Sequence, residues 1–106
     1  MYKVTFYVPG SHLDSVKTAM FKVGAGHIGH YDCCCWQIKG QGQFRPLKGS
    51  HPFIGKTDAI EVVDEFRVEM VVSESNIDKV IKALKDAHPY ETPAFDVITL
   101  CGQFME

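Results

Sequence analysis

The chain is short of most features that mark membrane, secreted or nucleic-acid-binding proteins. No apolar run approaches transmembrane length, where a spanning helix needs about 20 apolar residues. No leader-like apolar segment is visible at the start, because Tyr2 to Val8 alternates apolar and polar residues and reads as a strand. Positive charge is not in excess. Eleven Lys+Arg face 13 Asp+Glu, a formal net charge of -2, which argues against a nucleic-acid partner, a polybasic membrane anchor or an acidic tail. Cysteine is limited to Cys33, Cys34, Cys35 and Cys101. Three consecutive cysteines make a poor disulfide framework, since neighbours on an extended strand point to opposite faces. A reducing cytoplasm is the expected setting. A Ser-His-Asp order, a zinc-protease motif and a phosphate loop are also missing, so a non-enzymatic role is expected.

What remains is a chain able to fold. Its 106 residues are 45% hydrophobic, which fits one domain over residues 1–106 with a real core. So small a domain leaves much apolar surface exposed, and self-association would bury more of it.

The pattern along the chain is strand, helix, two or three strands, helix, strand. In the first strand Tyr2, Val4, Phe6 and Val8 share a face, and Pro9-Gly10 stops it. Ser11 is the expected N-cap of a helix, with Asp14 as a capping-box variant. Leu13, Val16, Met20 and Val23 form its apolar stripe, and Gly24 ends it. A second strand is expected over about 28–38, a turn at Gly40 and Gly42, a returning strand over 43–47 and a loop over 48–56. A strong strand follows over about 60–72, where Phe66, Val68, Met70 and Val72 alternate with Glu65, Arg67 and Glu69. Ser73 or Ser75 is the expected cap of the second helix. Its stripe is Ile77, Val80, Ile81, Leu84 and Ala87, and Pro89 ends it. The last strand covers about 94–100, with a short tail over 102–106. The arrangement that places both apolar helix stripes on one face of an antiparallel sheet is α+β, ferredoxin-like β-α-β-β-α-β. Adjacent valines at 62–63 and 71–72 make the strands apolar on both faces, which favours contact between subunits.

Three motifs carry a family resemblance. Gly24-Ala25-Gly26-His27-Ile28-Gly29-His30-Tyr31 resembles the glycine-rich motif of the YqfO-type insert domain, which interrupts many bacterial members of the NIF-three family. Gly40-Gln41-Gly42-Gln43-Phe44-Arg45-Pro46 and Pro52-Phe53-Ile54-Gly55 are similar to its middle motif. His88-Pro89-Tyr90-Glu91-Thr92-Pro93 is similar to its terminal motif, which CutA proteins carry in related form. The matches span nearly the whole chain in order. The resemblance implies a fold related to CutA and PII signalling proteins, and a homotrimer. The long family members set this domain between two α/β halves that carry paired metal ions. Those halves have no counterpart here, so the chain resembles a stand-alone insert, and the GTP cyclohydrolase type two label does not carry over.

Within these motifs His88, Tyr90 and Glu91 stand together at a helix end between Pro89 and Pro93. They are expected at a cleft between subunits, and two readings stand: His88 and Glu91 as metal ligands, His88 through a neutral ring nitrogen, or a turn in which a protonated His88 meets the helix dipole and Tyr90 bonds Glu91. Phe44 and Arg45 offer an aromatic ring beside a guanidinium for an anion in a PII-like cleft, with Tyr31 as a further cleft candidate; a solvated strand-end Arg45 is the plainer alternative. Cys33 and Cys35 on one strand face, with His30 or His51, could chelate copper or zinc. The plainer alternative, three small buried hydrophobes, is favoured because no Cys-x-x-Cys spacing is present. The glycines at 24, 26 and 29 fit a helix end and tight turn better than a phosphate loop. Glu65, Arg67 and Glu69 read as a charge-paired strand face, and Trp36 as core or interface. Two functions compete: a regulatory trimer that binds a metal ion or small ligand, and an interaction module that docks on a protein partner by a sheet edge or the trimer face.

Overall fold

The computed structural model describes residues 1–104. Six main elements follow in order: β1 (Tyr2–Pro9), α1 (Leu13–Lys22), β2 (Trp36–Phe44), β3 (Glu61–Val72), α2 (Ile77–Ala87) and β4 (Phe95–Thr99). The four strands form one antiparallel sheet in the order β2-β3-β1-β4. This is the expected α+β ferredoxin-like arrangement. The molecule is elongated, 47 × 24 × 23 Å, because the β2–β3 hairpin runs on past the end of β1 at Pro9, which pairs with Glu65.

The core lies between the sheet and both helices. Register sets Val4 opposite Met70 and Phe6 opposite Val68, and directly paired residues share a face. These residues, with Val8 and Val72, are buried against Leu13, Val16 and Met20 of α1 and Val80 and Leu84 of α2. Both helix stripes therefore point as their periodicity predicts. Helix α1 ends in a Schellman turn: Gly24 N–H donates to Phe21 O and Ala25 N–H to Met20 O. Gly24 sits at φ +102°, a left-handed conformation that favours glycine, and a Cβ there would also press on the Asn76 side chain.

The other sheet face carries no helix. Trp36 pairs with Glu69, Ile38 with Arg67, and Ile98 with Lys3. Trp36, Ile38 and Ile98 are each more than half exposed, so Trp36 is not a core residue. Among them Glu69 accepts from Lys3 and Arg67, which holds its carboxyl below the usual range, Lys3 contributing most.

Several local expectations give way. Residues 28–35 are not a strand: Ile28 and Tyr31 close a tight bridge across Gly29 and His30, and Cys33 takes φ 55°. Gly40 and Gly42 do not turn the chain. They lie inside β2 opposite Glu65 and Val63, and residues 45–60 form the connection to β3. Neither Ser11, Ser73 nor Ser75 caps a helix. His12 and Asn76 hold the N-cap positions without side-chain cap bonds. Ser11 bonds the His12 ring and Ser73 bonds Ser75 instead. Of the expected tail, Gly102–Phe104 form a 3-10 turn, and residues 105–106 lie outside the described residues.

Candidate functional site

Pro89 stops α2 at His88, whose backbone turns extended (φ -72°, ψ 136°). The chain then folds back beneath the overhanging hairpin. There His88 is buried, at 6% exposure, and both ring nitrogens are engaged. Nε2 lies 2.6 Å from Tyr7 O, and Tyr90 N–H donates to Nδ1 at 3.1 Å. One neutral tautomer satisfies both bonds, with the proton on Nε2. Burial holds the imidazole below its usual pKa, against the opposing pull of the Tyr7 carbonyl and Glu65. His88 is therefore a neutral buried latch in this conformation. It has no lone pair free for a metal, and it is not a protonated partner of the helix dipole.

The latch fixes Tyr90. Its ring packs 4.8 Å from the His88 ring, and its hydroxyl donates to Glu65 Oε2 at 2.8 Å. The bond goes to Glu65 on β3, not to neighbouring Glu91. Burial first, and then the Glu65 carboxylate, push the phenol well above the ordinary tyrosine range. Glu65 lies directly over Gly42: a Cβ at that position would collide with Glu65 Oε1 and push the carboxylate aside. Glycine inside a strand here marks the close approach of a side chain to the neighbouring backbone. Glu91 reaches the long connection, accepting from His51 N–H at 2.9 Å.

These contacts enclose a cleft of about 610 Å³ between the hairpin, the 45–60 connection and the 88–94 turn. Its volume is that of a small-molecule site. The aromatic wall is continuous, for Phe44 and Phe53 each place a ring centre 6.3 Å from that of Tyr90. Phe53 also meets His12 edge-on at 5.3 Å.

The cleft thus unites Phe44, Tyr90 and Glu91 of the expected site. His88 stands behind it as a support. Arg45 is exposed and does not line it; Arg67 supplies the guanidinium at its edge. Tyr31 and His30 sit on the separate 28–31 bridge, both exposed. Cys33 and Cys35 are exposed and not on a strand, Cys34 is half-buried, and all four cysteines are free, so the buried-hydrophobe reading of the cysteine run also fails. Partial desolvation and then the Asp32 carboxylate raise the Cys33 thiol, which opposes the thiolate a soft metal needs. Among the described residues no three His, Cys, Asp or Glu side chains are grouped to hold a metal ion. Sequence reasoning missed Tyr7, Phe53, Glu65 and Arg67 as cleft residues. Gly42 inside a strand was the available signal for Glu65.

No family model matches the chain. It is 44% identical over 103 residues to the GTP cyclohydrolase 1 type 2 homolog of Halalkalibacterium halodurans, covering 97% of this chain and 28% of that protein. It is 47% identical over 98 residues to the Mycobacterium leprae homolog, covering 92% of this chain and 26% of that protein. The chain thus spans about a quarter of the length of these curated relatives. Among solved structures, a Bacillus cereus protein related to NIF3 superposes with TM-score 0.80 at 40% identity, over 93% of this chain and 25% of that one. The PII-like protein CutA from Nostoc superposes with TM-score 0.69 at 18% identity, over 97% of this chain and 84% of that one, a likeness of fold alone. Nearly the whole chain is therefore homologous to one domain-sized segment of the NIF3-related GTP cyclohydrolase 1 type 2 homologs, and its fold is that of CutA.

Proposed function

We propose that this domain is a small-ligand-binding module of regulatory rather than catalytic kind, working as a homotrimer in the cytoplasm. The observation that carries the reading is the cleft under the hairpin. Its aromatic wall and its carboxylates are held in place by contacts from β1, β2, β3 and the 88–94 turn, and such preorganisation favours binding. Its titratable groups are engaged structurally: Tyr90 with Glu65, Glu91 with the His51 amide, and His88 with two main-chain groups. That arrangement supports a receptor more than a proton-transfer site.

The trimer is supported by the uncovered sheet face with Trp36, Ile38 and Ile98, and by β2 as a free edge strand. The four free cysteines support a reducing compartment. No helix of the described residues is long and apolar enough to cross a membrane. The cleft offers oxygen donors and aromatic rings rather than thiolates, so an organic ligand suits it better than copper or zinc. The same apolar face favours a second reading, in which the module docks on a protein partner.

Light scattering with calorimetry tests the proposal. The expected result is a mass three times the 11.9 kDa of one chain, and saturable binding of a small molecule that Phe44→Ala abolishes with assembly intact. A monomer at micromolar concentration contradicts the trimer. Ligand binding indifferent to Phe44→Ala contradicts the site.

A further inference from the structure

The charges of the cleft do not cancel. Glu65, Arg67 and Glu91 line it, but Arg67 Nη2 is turned to Glu69 Oε2 at 3.3 Å. Glu65 has the Tyr90 phenol as its partner, and Glu91 the His51 amide. Neither carboxylate enters an ion pair with a Lys, Arg or His of the described residues. Glu65 is also half-buried, where a charge interacts more strongly with an opposite one than it does in bulk water.

The surroundings fit one kind of counter-charge. Phe44, Phe53 and Tyr90 form a joined aromatic surface, and ring faces attract ammonium and guanidinium groups. The Tyr90 hydroxyl pins Glu65 Oε2, while Oε1 lies over Gly42, where any side chain would displace it. One carboxylate oxygen is held by the protein, and the other is left for a ligand donor. Most of the remaining lining is apolar, with Ile38, Pro46, Pro52 and Ile54.

We propose that the cleft binds an organic cation, with an amine or guanidinium head seated against Glu65 and an apolar or aromatic body against Phe44 and Phe53. This deepens the proposed function and rests on the cleft being the ligand site. An inorganic metal ion would leave the aromatic wall unused, and an anion would face two carboxylates.

The test compares three probes that share a phenyl ring and differ in the charge of the head: phenethylammonium, 2-phenylethanol and phenylacetate. Calorimetry on the full chain should show the cation binding, the alcohol binding at least about tenfold more weakly, and the acid most weakly of all. Glu65→Gln keeps an acceptor for Tyr90 and should weaken the cation about tenfold without weakening the alcohol. Gly42→Ala keeps the charge but displaces it, and should weaken the cation in the same direction. Equal binding of the three probes, lost in Phe44→Ala, overturns the cation assignment and leaves the cleft as the site. Binding of none at millimolar concentration overturns both. Cation binding unchanged in both Glu65→Gln and Gly42→Ala overturns the role given to Glu65.

Discussion

The two faces of the sheet are built for different ends. The helix-covered face is closed within the chain: Val4, Phe6, Val8, Val68, Val80 and Leu84 are fully buried. The opposite face leaves Trp36, Ile38 and Ile98 more than half exposed, and at its hairpin end it opens into the cleft. The first face supplies stability. The second is where the proposed recognition would take place, at the exposed sheet surface for other chains and in the cleft for a ligand. Separating the two lets the recognition surface change while the core stays packed, since surface substitutions away from packed or bonded groups usually cost little.

The largest expected effect lies on the covered face. Leu84→Ala should destabilise the chain by about 2–5 kcal/mol in urea unfolding, because Leu84 has no exposed surface in the core. A neutral result would mean that α2 does not pack through this stripe.

A smaller effect sits at the junction of the two regions. The buried, neutral His88 has its pKa lowered by burial, whereas an unfolded chain leaves it at the ordinary histidine value of about 6.5. The unfolded chain then binds more protons below that value. Stability should be full above about pH 6.5 and decline as the pH falls from there to the depressed folded value. His88→Gln retains an N–H donor and removes the titration, so the acid slope between pH 7 and 5 should flatten. An unchanged slope would place the acid sensitivity elsewhere.

The smallest expected effect on the single chain lies on the open face. Replacing Trp36 by Lys together with Ile38 by Asp should change the stability of the dilute chain by no more than about 0.5 kcal/mol. Light scattering should meanwhile show loss of the proposed trimer. A strongly destabilised dilute chain would mean that this face is part of the chain's own core.

The same division governs what could be read in the sequence. Burial on one side of an element imposes a period, so Val16–Met20, Val80–Leu84 and the alternation of Phe66 to Val72 were legible. Local stops were legible where one residue acts by itself, as Gly24 and Pro89 do. Gly40 and Gly42 were misread because glycine breaks a strand in isolation, whereas here pairing with β3 and the nearby Glu65 carboxylate decide their place. The caps were misread because Ser11 and Ser73 bond neighbouring side chains. In the cleft, the 88–91 motif announced itself through bulky polar groups in a proline-bound turn. Its partners Tyr7 and Glu65 lie far along the chain and meet it only through sheet register. A period-two pattern places Glu65 on a face but does not say which turn returns to that face.

The proposed ligand site is the cleft under the hairpin and not the cysteine run. Nuclear magnetic resonance mapping of the full chain, titrated separately with phenethylammonium and with zinc, tests it most directly. Phenethylammonium should shift the signals of Phe44, Glu65, Tyr90 and Glu91 saturably, and zinc should leave these unmoved. Saturable shifts confined to His30 and Cys33–Cys35, with the Phe44 and Tyr90 signals unmoved by either probe, would contradict it.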